Sequence, residues 1–164
     1  MNLDLIKIRK IEPNDNPYLA IIIRNALTEF NAAKPGTVYY DKTTDLLFEV
    51  FQNEPLSFYN VAEFDDEILG GAGIYPTENL PPKTCELVKM YLSPKARGIG
   101  LGKELIQKSI EKAKELGYNQ IYLESMPELT KAISVYKKLG FEFIKSSLGN
   151  SGHSGCDVFM TLYI

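Results

Sequence analysis

The sequence of 164 residues has few of the features that define several common protein classes. Its two cysteines, Cys85 and Cys156, are far apart and lack CxxC spacing, so we expect reduced thiols rather than a disulfide framework or a zinc site. No apolar run approaches the length of a membrane span, and the N-terminus lacks the apolar segment of a signal peptide. The formal net charge is -3 with lysines and arginines dispersed, so no basic patch indicates a nucleic-acid partner. We therefore expect a cytoplasmic protein that binds neither nucleic acid nor a membrane.

The hydrophobic pattern indicates one α+β domain over residues 1–164. With 45% hydrophobic residues, a chain of this length can bury a core of its own. The predicted strands lie at residues 3–11, 56–64, 68–76, 85–92, 119–125, 141–145 and 156–164, and the predicted helices lie within residues 17–31, 41–53, 101–116 and 128–140. This order indicates a mixed, mostly antiparallel twisted sheet flanked by about four helices, with one right-handed parallel crossover.

Two of the predicted helix starts carry residues suited to capping. Thr43 or Thr44 can cap the short second helix, because a threonine hydroxyl can accept a hydrogen bond from a free backbone N–H group. Ser125 and Glu128 have the spacing of a capping box ahead of the last helix. We therefore expect side-chain caps at both helix starts.

Three glycines in the stretch KARGIGLGKELIQKSI follow Arg97 and lead into a strongly amphipathic helix. A helix start presents unpaired N–H groups and the positive end of the helix dipole, so it favours anions, and glycines let an anion approach the backbone closely. Gly98 and Gly102 are one residue too close for a nucleoside-triphosphate P-loop. The GxGxG spacing also departs from the GxGxxG of a dinucleotide site, although Glu124 stands about where a ribose-binding acid would, and this alternative stays open.

The same stretch resembles a family signature. Arg97 to Gly102 fits the pattern R/Q-x-x-G-x-G/A, which is the pyrophosphate-binding loop of the GNAT superfamily of N-acetyltransferases. VKMYLSPKARGIGLGKELI resembles the whole strand–loop–helix signature of that family, and KAISVYKKLGFEFI is similar to its second signature, A-I-x-x-Y-x-K-L-G-F. The resemblance covers residues 57–145 well, and the predicted element order extends it to the whole chain.

The resemblance implies an N-acetyltransferase that uses acetyl-coenzyme A as its co-substrate. Backbone amides of the loop would hold the pyrophosphate, and the strand ahead of it would pair with the amide-bearing pantetheine arm. The implied cofactor-binding residues are Met90, Tyr91, Leu92, Arg97, Gly98, Ile99, Gly100, Leu101, Gly102 and Lys103. The family often has an asparagine at the head of its second signature, contacting the pantetheine arm, where this sequence has Leu129. That contact must then come from elsewhere or be absent.

Two residues are candidates for the chemistry of acyl transfer. Tyr136 takes the place of the tyrosine that in this family commonly donates a proton or hydrogen bond to the coenzyme A sulfur, but it also shares an apolar helix face and can instead be a core residue. Glu86 stands near the start of the strand at residues 85–92, where some family members have a general base. By strand alternation, its side chain should share a mostly apolar face with Val88 and Met90, which would raise its pKa. Alternatively, Glu86 is a solvated residue at a strand end.

The sequence also offers candidates for contact with the amine acceptor. Tyr39, Tyr40 and Asp41 could recognise a cationic amine through cation–π contact and carboxylate pairing, or they could fix a loop in place. His153, the only histidine, lies between the last two strands. In the family that the chain resembles, these strands border the acceptor, so His153 could contact it, or it could be a solvated loop residue. A Cys156–His153 nucleophile pair is disfavoured, because no third orienting group stands at a recognisable spacing and direct transfer needs no covalent intermediate.

We therefore expect an N-acetyltransferase that transfers an acetyl group from acetyl-coenzyme A to a primary amine of a small molecule or protein, by direct attack in a ternary complex and without a metal. The alternative is a coenzyme A-binding sensor or partner-binding module with the same fold and little catalysis. The expected partners are acetyl-coenzyme A and the amine acceptor, and a homodimer paired through the last strands is considered.

Overall fold

A seven-stranded mixed sheet lies at the centre of the protein. The structure is a computed structural model that describes residues 2–164. The strands are β1 (Lys7–Lys10), β2 (Phe58–Phe64), β3 (Glu67–Tyr75), β4 (Thr84–Leu92), β5 (Gln120–Ser125), β6 (Glu142–Ile144) and β7 (Val158–Tyr163). Their order is β1-β2-β3-β4-β5-β7-β6, and every neighbouring pair is antiparallel except β4 and β5, which run parallel. The predicted α+β fold with a mostly antiparallel sheet is confirmed.

Four α-helices cover the two faces of this sheet. They are α1 (Asn16–Glu29), α2 (Leu47–Gln52), α3 (Leu101–Glu115) and α4 (Thr130–Lys138). The buried stripes of α1 and α2 pack in one apolar cluster, and those of α3 and α4 pack in a second. Since Val61 and Ala62 are consecutive in β2 and belong to different clusters, the clusters lie on opposite faces of the sheet. No helix within the described residues is long and apolar enough to cross a membrane.

The first strand is shorter than predicted. Residues Leu3–Leu5 form a 3-10 turn instead, because the Asn2 side chain accepts a hydrogen bond from the backbone N–H of Asp4 and caps this turn. β1 therefore begins only at Lys7. The other predicted strands are present, with ends shifted by one to a few residues.

Both predicted helix caps are wrong. Thr43 and Thr44 lie in a 3-10 turn ahead of α2, where Thr44 donates its hydroxyl to a backbone carbonyl at 2.9 Å. Asp41 caps that turn instead, by accepting from the N–H of Thr43. Ser125 ends β5 and Glu128 forms an ion pair with a lysine that follows α1, so α4 starts without a side-chain cap. In both places the residues that could cap the helix lie in another element or make a contact elsewhere.

A β-bulge interrupts β4 at Lys89. In the pairing with β3, Gly73 lies opposite Val88 and Gly71 lies opposite Tyr91, so β4 has one more residue than β3 between these pairs. Lys89 has a backbone φ of 50°, in the left-handed region, and its carbonyl accepts a hydrogen bond from a buried tyrosine hydroxyl at 2.8 Å. The bulge shifts the alternation of side chains along β4 by one residue.

This shift separates two residues that simple alternation places on one face. Leu87 and Met90 both contact the apolar cluster of α3, whereas Val88 and Tyr91 contact the cluster of α1. Glu86 stands two residues before Val88 and projects to the same face as Val88. The expectation that Glu86 shares a face with Met90 is therefore wrong, because the extra residue turns Met90 to the other side of the sheet.

β4 and β5 pair over only part of their length. The register begins at Thr84 and Gln120 and ends at Glu86 and Tyr122, with no further pair in the described residues. β4 continues to Leu92, so its edge beyond Glu86 has no strand partner on that side. The sheet therefore divides at Glu86.

Candidate active site

A cleft of about 1190 Å³ opens where β4 and β5 separate. The glycine-rich loop and the start of α3 line one end of it. The loops after α1, after β3 and between β6 and β7 line the other end, and β4 from Glu86 to Leu92 lines the middle. The cleft therefore brings together most of the residues that the sequence singles out.

Two glycines of the loop have conformations that favour glycine. Gly98 and Gly100 have φ values of 79° and 94°, in the left-handed region that residues with a Cβ rarely adopt. A Cβ at Gly98 would have no neighbouring atom within 4 Å, and a Cβ at Gly100 would contact only Leu3, at 3.7 Å. Residues 2–164 place no other atom in this space, so a ligand can approach the loop backbone closely.

The loop ends at the start of α3. Gly100 is the N-cap residue, and the N–H of Glu104 donates to its carbonyl at 3.1 Å. The N–H groups of Leu101, Gly102 and Lys103 come before that bond, so they have no acceptor within the helix. Together with the positive end of the helix dipole, they favour a bound anion.

Arg97 connects the loop to α1. Its Nε donates to the carbonyl of Leu92 at 3.1 Å, and its Nη1 donates to both carboxylate oxygens of Glu29 at 2.8 Å. The guanidinium also lies over the ring of Phe30, 5.1 Å from the ring centroid. Arg97 therefore fixes the loop while it borders the cleft.

Eight of the ten predicted cofactor-binding residues line the cleft: Met90, Tyr91, Leu92, Arg97, Gly98, Gly100, Gly102 and Lys103. The other two, Ile99 and Leu101, pack in the apolar cluster of α3, so only their backbone groups are available to a ligand. Leu129 also lines the cleft, with an apolar side chain in the place of an amide.

Glu86 is buried at the point where the two strands separate. The residue is 3% exposed, and one of its carboxylate oxygens accepts a hydrogen bond from the Thr77 hydroxyl. Among residues 2–164, no donor reaches the other oxygen. Burial raises the pKa of Glu86 to about 7, opposed by the hydrogen bond from Thr77 and supported by the nearby Glu124. Glu86 is therefore not a solvated residue, and its carboxylate can accept a proton near neutral pH.

Glu124 and His153 lie beside Glu86. Each of the three side chains offers a ligand atom, and these atoms lie within 4.8 Å of one another. Tyr122 and Ser151 donate to the two carboxylate oxygens of Glu124 at 2.8 and 2.7 Å, which fixes its position. Two carboxylates and an imidazole can transfer protons, and the same set could hold a divalent metal. The expectation of no metal stays a prediction.

Asp41 and Lys89 form an ion pair at the same end of the cleft. The Nζ of Lys89 donates to Asp41 at 3.0 Å, and Nε2 of His153 lies 3.4 Å from the same oxygen. His153 and Lys89 hold the pKa of the Asp41 carboxyl well below its usual value, while burial lowers the pKa of Lys89. Because Asp41 also caps a 3-10 turn, its contacts favour the interpretation that it fixes a loop.

The two tyrosines before Asp41 are placed differently. Tyr40 lines the cleft and is 62% exposed, whereas Tyr39 packs in the apolar cluster of α1 and does not line the cleft. Their rings meet edge to face, with centroids 4.9 Å apart. Only Tyr40 is therefore available to a ligand in the cleft.

Tyr136 is both a core residue and a cleft residue. Its ring packs in the cluster of α3, with the Phe141 ring centroid at 5.8 Å. Tyr136 also lines the cleft, and its hydroxyl makes no hydrogen bond to any residue of the described range. Burial raises the pKa of the phenol, so the hydroxyl stays protonated and can donate. The core and catalytic interpretations of Tyr136 are therefore compatible.

Cys156 lines the cleft without the character of a nucleophile. Burial raises the pKa of its thiol to about 12, which is opposite to the shift that activates a cysteine. Its backbone N–H donates to the carbonyl of His153 at 3.2 Å. Both cysteines are free thiols in the structure.

Sequence reasoning misses two residues of this site and gives a third a different role. It does not single out Thr77 or Lys89, and it considers Glu124 only as a ribose-binding acid. The available signal for Glu124 is strand alternation, since Tyr122 and Glu124 are both polar and project to one face of β5. A lysine among the apolar residues 87–92 is a weaker signal for Lys89. Thr77 has no signal, because its contact with Glu86 depends on the path of the loop after β3.

Comparisons with known proteins agree on one family. Residues 23–141 match the Acetyltransferase (GNAT) family. The chain is 39% identical over 154 residues to a protein of Escherichia coli (strain K12) named uncharacterized N-acetyltransferase YjgM, across 93% of this chain and 92% of that protein. Two solved structures have the same fold. An acetyltransferase of GNAT family from Staphylococcus aureus Mu50 matches with a TM-score of 0.85 and 21% identity, over 96% of this chain and 98% of that chain. The PaiA N-acetyltransferase of Thermoplasma acidophilum, in complex with coenzyme A, matches with a TM-score of 0.76 and 21% identity, over 97% and 99%.

Proposed function

Since the chain belongs to the acetyltransferase (GNAT) family and is an acyltransferase, we propose that it transfers an acetyl group from acetyl-coenzyme A to a primary amine of a small molecule or protein, by direct attack in a ternary complex. The single observation that carries this proposal is the shared cleft: the glycine loop, Glu86 and Tyr136 all line it. These groups match the needs of acyl transfer, which are an anion site, a base for the amine and an acid for the thiolate.

The residues of the cleft fit acetyl-coenzyme A. The free N–H groups at the start of α3 suit its pyrophosphate, and among residues 2–164 only Leu3 comes within 4 Å of the Cβ positions of Gly98 and Gly100. The edge of β4 from Leu87 to Leu92 has no partner on the β5 side, so it can pair with the amide groups of a pantetheine arm. The coenzyme A complex of the PaiA neighbour supports this assignment. When bound, acetyl-coenzyme A supplies the thioester whose acetyl group is transferred.

Glu86 is the proposed general base. A primary amine has a pKa of about 10 and must lose a proton before it can attack a thioester. Glu86 has one oxygen free of protein donors and borders the cleft, and a pKa of about 7 leaves much of it unprotonated near neutral pH. Thr77 orients the carboxylate by donating to the other oxygen. His153 lies within 4.8 Å and can take the proton onward.

Tyr136 is the proposed general acid. Its hydroxyl borders the cleft without a partner among residues 2–164, and burial raises its pKa, so the phenol stays protonated. It can therefore donate a hydrogen bond to the sulfur as negative charge develops on the departing thiolate, and this stabilises the leaving group. Packing against Phe141 holds the ring and therefore the position of the hydroxyl.

The first prediction is that the protein releases free thiol from acetyl-coenzyme A in the presence of a suitable primary amine, with kcat/KM rising through about pH 7 as Glu86 loses its proton. Glu86→Gln should lower kcat/KM by about 10² or more, since general base catalysis is worth about 10² to 10⁴. The loss should be largest between about pH 7 and 9, where Glu86 is unprotonated and the amine is still protonated, and smaller at higher pH. A panel of amines, assayed by thiol release across this range, measures both effects.

The matched control is Glu111→Gln, which removes an exposed carboxylate of α3 outside the cleft and should keep the wild-type profile. If Glu86→Gln parallels the wild-type profile at equal height, Glu86 is not the base. If no amine releases thiol while calorimetry shows tight acetyl-coenzyme A binding, the protein is a coenzyme A-binding module instead.

A further inference from the structure

The two ends of the cleft carry opposite charge. The loop, α3 and α4 contribute cationic side chains, namely Arg97, Lys103, Lys131 and Lys138. The end opposite the glycine loop, together with the adjoining side chains of β4 and β5, is here called the acceptor end. It carries the carboxylates of Asp41, Glu78, Glu86 and Glu124, together with Lys89 and His153. The cationic end suits the phosphates of the co-substrate, which leaves the excess of carboxylates to face the acceptor.

From this distribution we infer that the acceptor is a diamine or polyamine, an aliphatic chain that carries a second ammonium group besides the one that reacts. The inference rests on the proposed acetyl transfer and names the substrate class of the same cleft. It depends on three features of the acceptor end: a close pair of carboxylates, a lysine already engaged by another residue, and a carboxylate at the rim.

The close pair consists of Glu86 and Glu124. Their oxygens lie within 4.8 Å of each other and of His153, and the free oxygen of Glu86 borders the cleft. Hydrogen bonds from Tyr122 and Ser151 fix Glu124, so it cannot turn away from its neighbour without losing both. Two carboxylates held this close repel each other, and an ammonium group between them relieves the repulsion. This pair therefore receives the amine that reacts.

Among residues 2–164, Lys89 is the only lysine at the acceptor end, and it is not free to bind an acidic acceptor. Its ammonium donates to Asp41 at 3.0 Å, and the Lys89 side chain is 7% exposed. Thr43 and His153 contact the same Asp41 carboxylate and hold it in place. The carboxylate of an amino acid acceptor would therefore approach Glu86 and Glu124, and Lys89 would not be free to pair with it. This repulsion disfavours the binding of amino acids as acceptors.

The rim carboxylate is Glu78. The side chain of Asn150 donates to it at 3.3 Å, and the backbone N–H of Asn150 donates to its carbonyl at 2.8 Å, so Glu78 stands next to the loop that carries Ser151 and His153. Glu78 also directly follows Thr77, which contacts Glu86. The exposed carboxylate of Glu78 and the close pair of Glu86 and Glu124 thus border the same loop. The wall between α2 and the sheet is apolar, formed by Val50, Phe51, Tyr75 and Val88, and suits the methylenes between two ammonium groups.

The second prediction is a preference for diamines over monoamines of the same chain length. Putrescine, cadaverine and spermidine should have kcat/KM values about twofold to fivefold above those of butylamine and pentylamine, since this ratio corresponds to one additional exposed ion pair of about 0.4 to 1 kcal/mol. Alanine and glutamate should be poorer acceptors than butylamine. The assay is thiol release from acetyl-coenzyme A, with a chelator present so that no metal occupies Glu86, Glu124 and His153. The preference should shrink as salt is added.

The variant that tests the rim is Glu78→Gln, an exposed substitution that keeps an oxygen for Asn150. It should remove most of the putrescine-to-butylamine preference, mainly through KM. Glu111→Gln, which changes the net charge equally but lies outside the cleft, should keep the preference. If butylamine equals putrescine in the wild type, or an amino acid is the best acceptor, this inference is overturned while acetyl transfer stands. If Glu78→Gln keeps the full preference, Glu78 does not bind the second ammonium. If no amine is acetylated, the proposed function itself fails.

Discussion

The packing role of the Tyr136 ring and the proposed chemical role of its hydroxyl can be tested separately. Its ring contributes to the apolar cluster of α3, and a phenylalanine would fill the same space. Its hydroxyl contributes nothing to that packing and has no hydrogen-bond partner among residues 2–164. Loss of a hydroxyl with no partner is close to neutral for stability. A substitution that removes only this oxygen therefore tests the chemistry of Tyr136 without altering the core.

The third prediction concerns Tyr136→Phe. The variant should stay folded and bind acetyl-coenzyme A nearly as the wild type does. It should lose about 10² or more in kcat if protonation of the thiolate limits the rate, because general acid catalysis is worth about 10² to 10⁴. Thermal unfolding, calorimetry and thiol release measure the three quantities.

A thioester with a more acidic leaving thiol supplies the control for Tyr136→Phe. Such a thiolate needs less protonation as it departs, so the variant should regain part of its lost rate with this substrate. Full turnover of Tyr136→Phe with acetyl-coenzyme A, under conditions where chemistry is limiting, would show that Tyr136 is only a core residue and that the proton comes from water or another group.

Single residues of the site differ in how far the sequence predicts them. Tyr136 and Glu86 stand within recognisable patterns, and the structure places both on the cleft. Strand alternation indicates which face Glu124 projects to, but Glu124 and Lys89 reach the cleft through the divergence of β5 from β4 and the bulge within β4, which the sequence does not predict. Asp41 is predicted either to contact the substrate or to fix a loop, and its contacts with Lys89, His153 and a turn, which favour the second interpretation, depend on the tertiary structure.

Among the elements, the glycine loop joins a strand to a helix in a conformation that leaves space for a ligand. Gly100 has a φ of 94° and no neighbour for a Cβ except Leu3. Gly117, after α3, has a φ of 86° and no neighbour within 4 Å, but it lies outside the cleft. The two glycines therefore have similar left-handed backbone conformations, but only Gly100 lines the cleft.

The fourth prediction compares Gly100→Val with Gly117→Val. Each should lower the free energy of unfolding by about 1 to 3 kcal/mol, because a β-branched residue is strained in the left-handed region. Only Gly100→Val should weaken acetyl-coenzyme A binding, by about tenfold to a hundredfold, since charge-assisted hydrogen bonds from the loop are worth about 1.5 to 3 kcal/mol. Thermal unfolding and calorimetry on both variants separate strain from binding. Unchanged affinity in a folded Gly100→Val protein would place the pyrophosphate elsewhere.

Helices and strands are predictable from sequence where the regular spacing of apolar residues continues over several turns or strand residues. α1 and α3 each carry a buried stripe over several turns, and both are present close to their predicted ends. The predicted start of the first strand and the two predicted helix caps are wrong, because short polar side chains in these places can hydrogen-bond to several nearby backbone groups, and the tertiary contacts determine which bond forms. The bulge at Lys89 has no sequence signal, because strand alternation assumes an uninterrupted ladder.

In the molecule as a whole, the sheet consists of two parts that meet at the short β4–β5 pairing. One part contains β1 to β4 and the other contains β5, β7 and β6. Beyond Glu86 no strand pairs cross between them within the described residues, and the cleft lies in this gap. A molecule that binds both the free edge of β4 and the start of α3 would therefore fill the weakest place in the sheet.

The fifth prediction is that acetyl-coenzyme A binding slows backbone hydrogen exchange in a defined pattern. Protection should increase in residues 87–92 and 98–103, because these N–H groups gain a ligand partner or lose solvent contact. Exchange in β1, at the far edge of the sheet, should change only with global stability. At a ligand concentration a hundredfold above Kd, the free energy of unfolding should rise by about 2.7 kcal/mol. Exchange measured by mass spectrometry, with and without ligand, locates the effect. Protection concentrated at β1 rather than at the β4 edge and the loop would contradict this placement, since the ligand would then bind outside the gap between the two parts of the sheet.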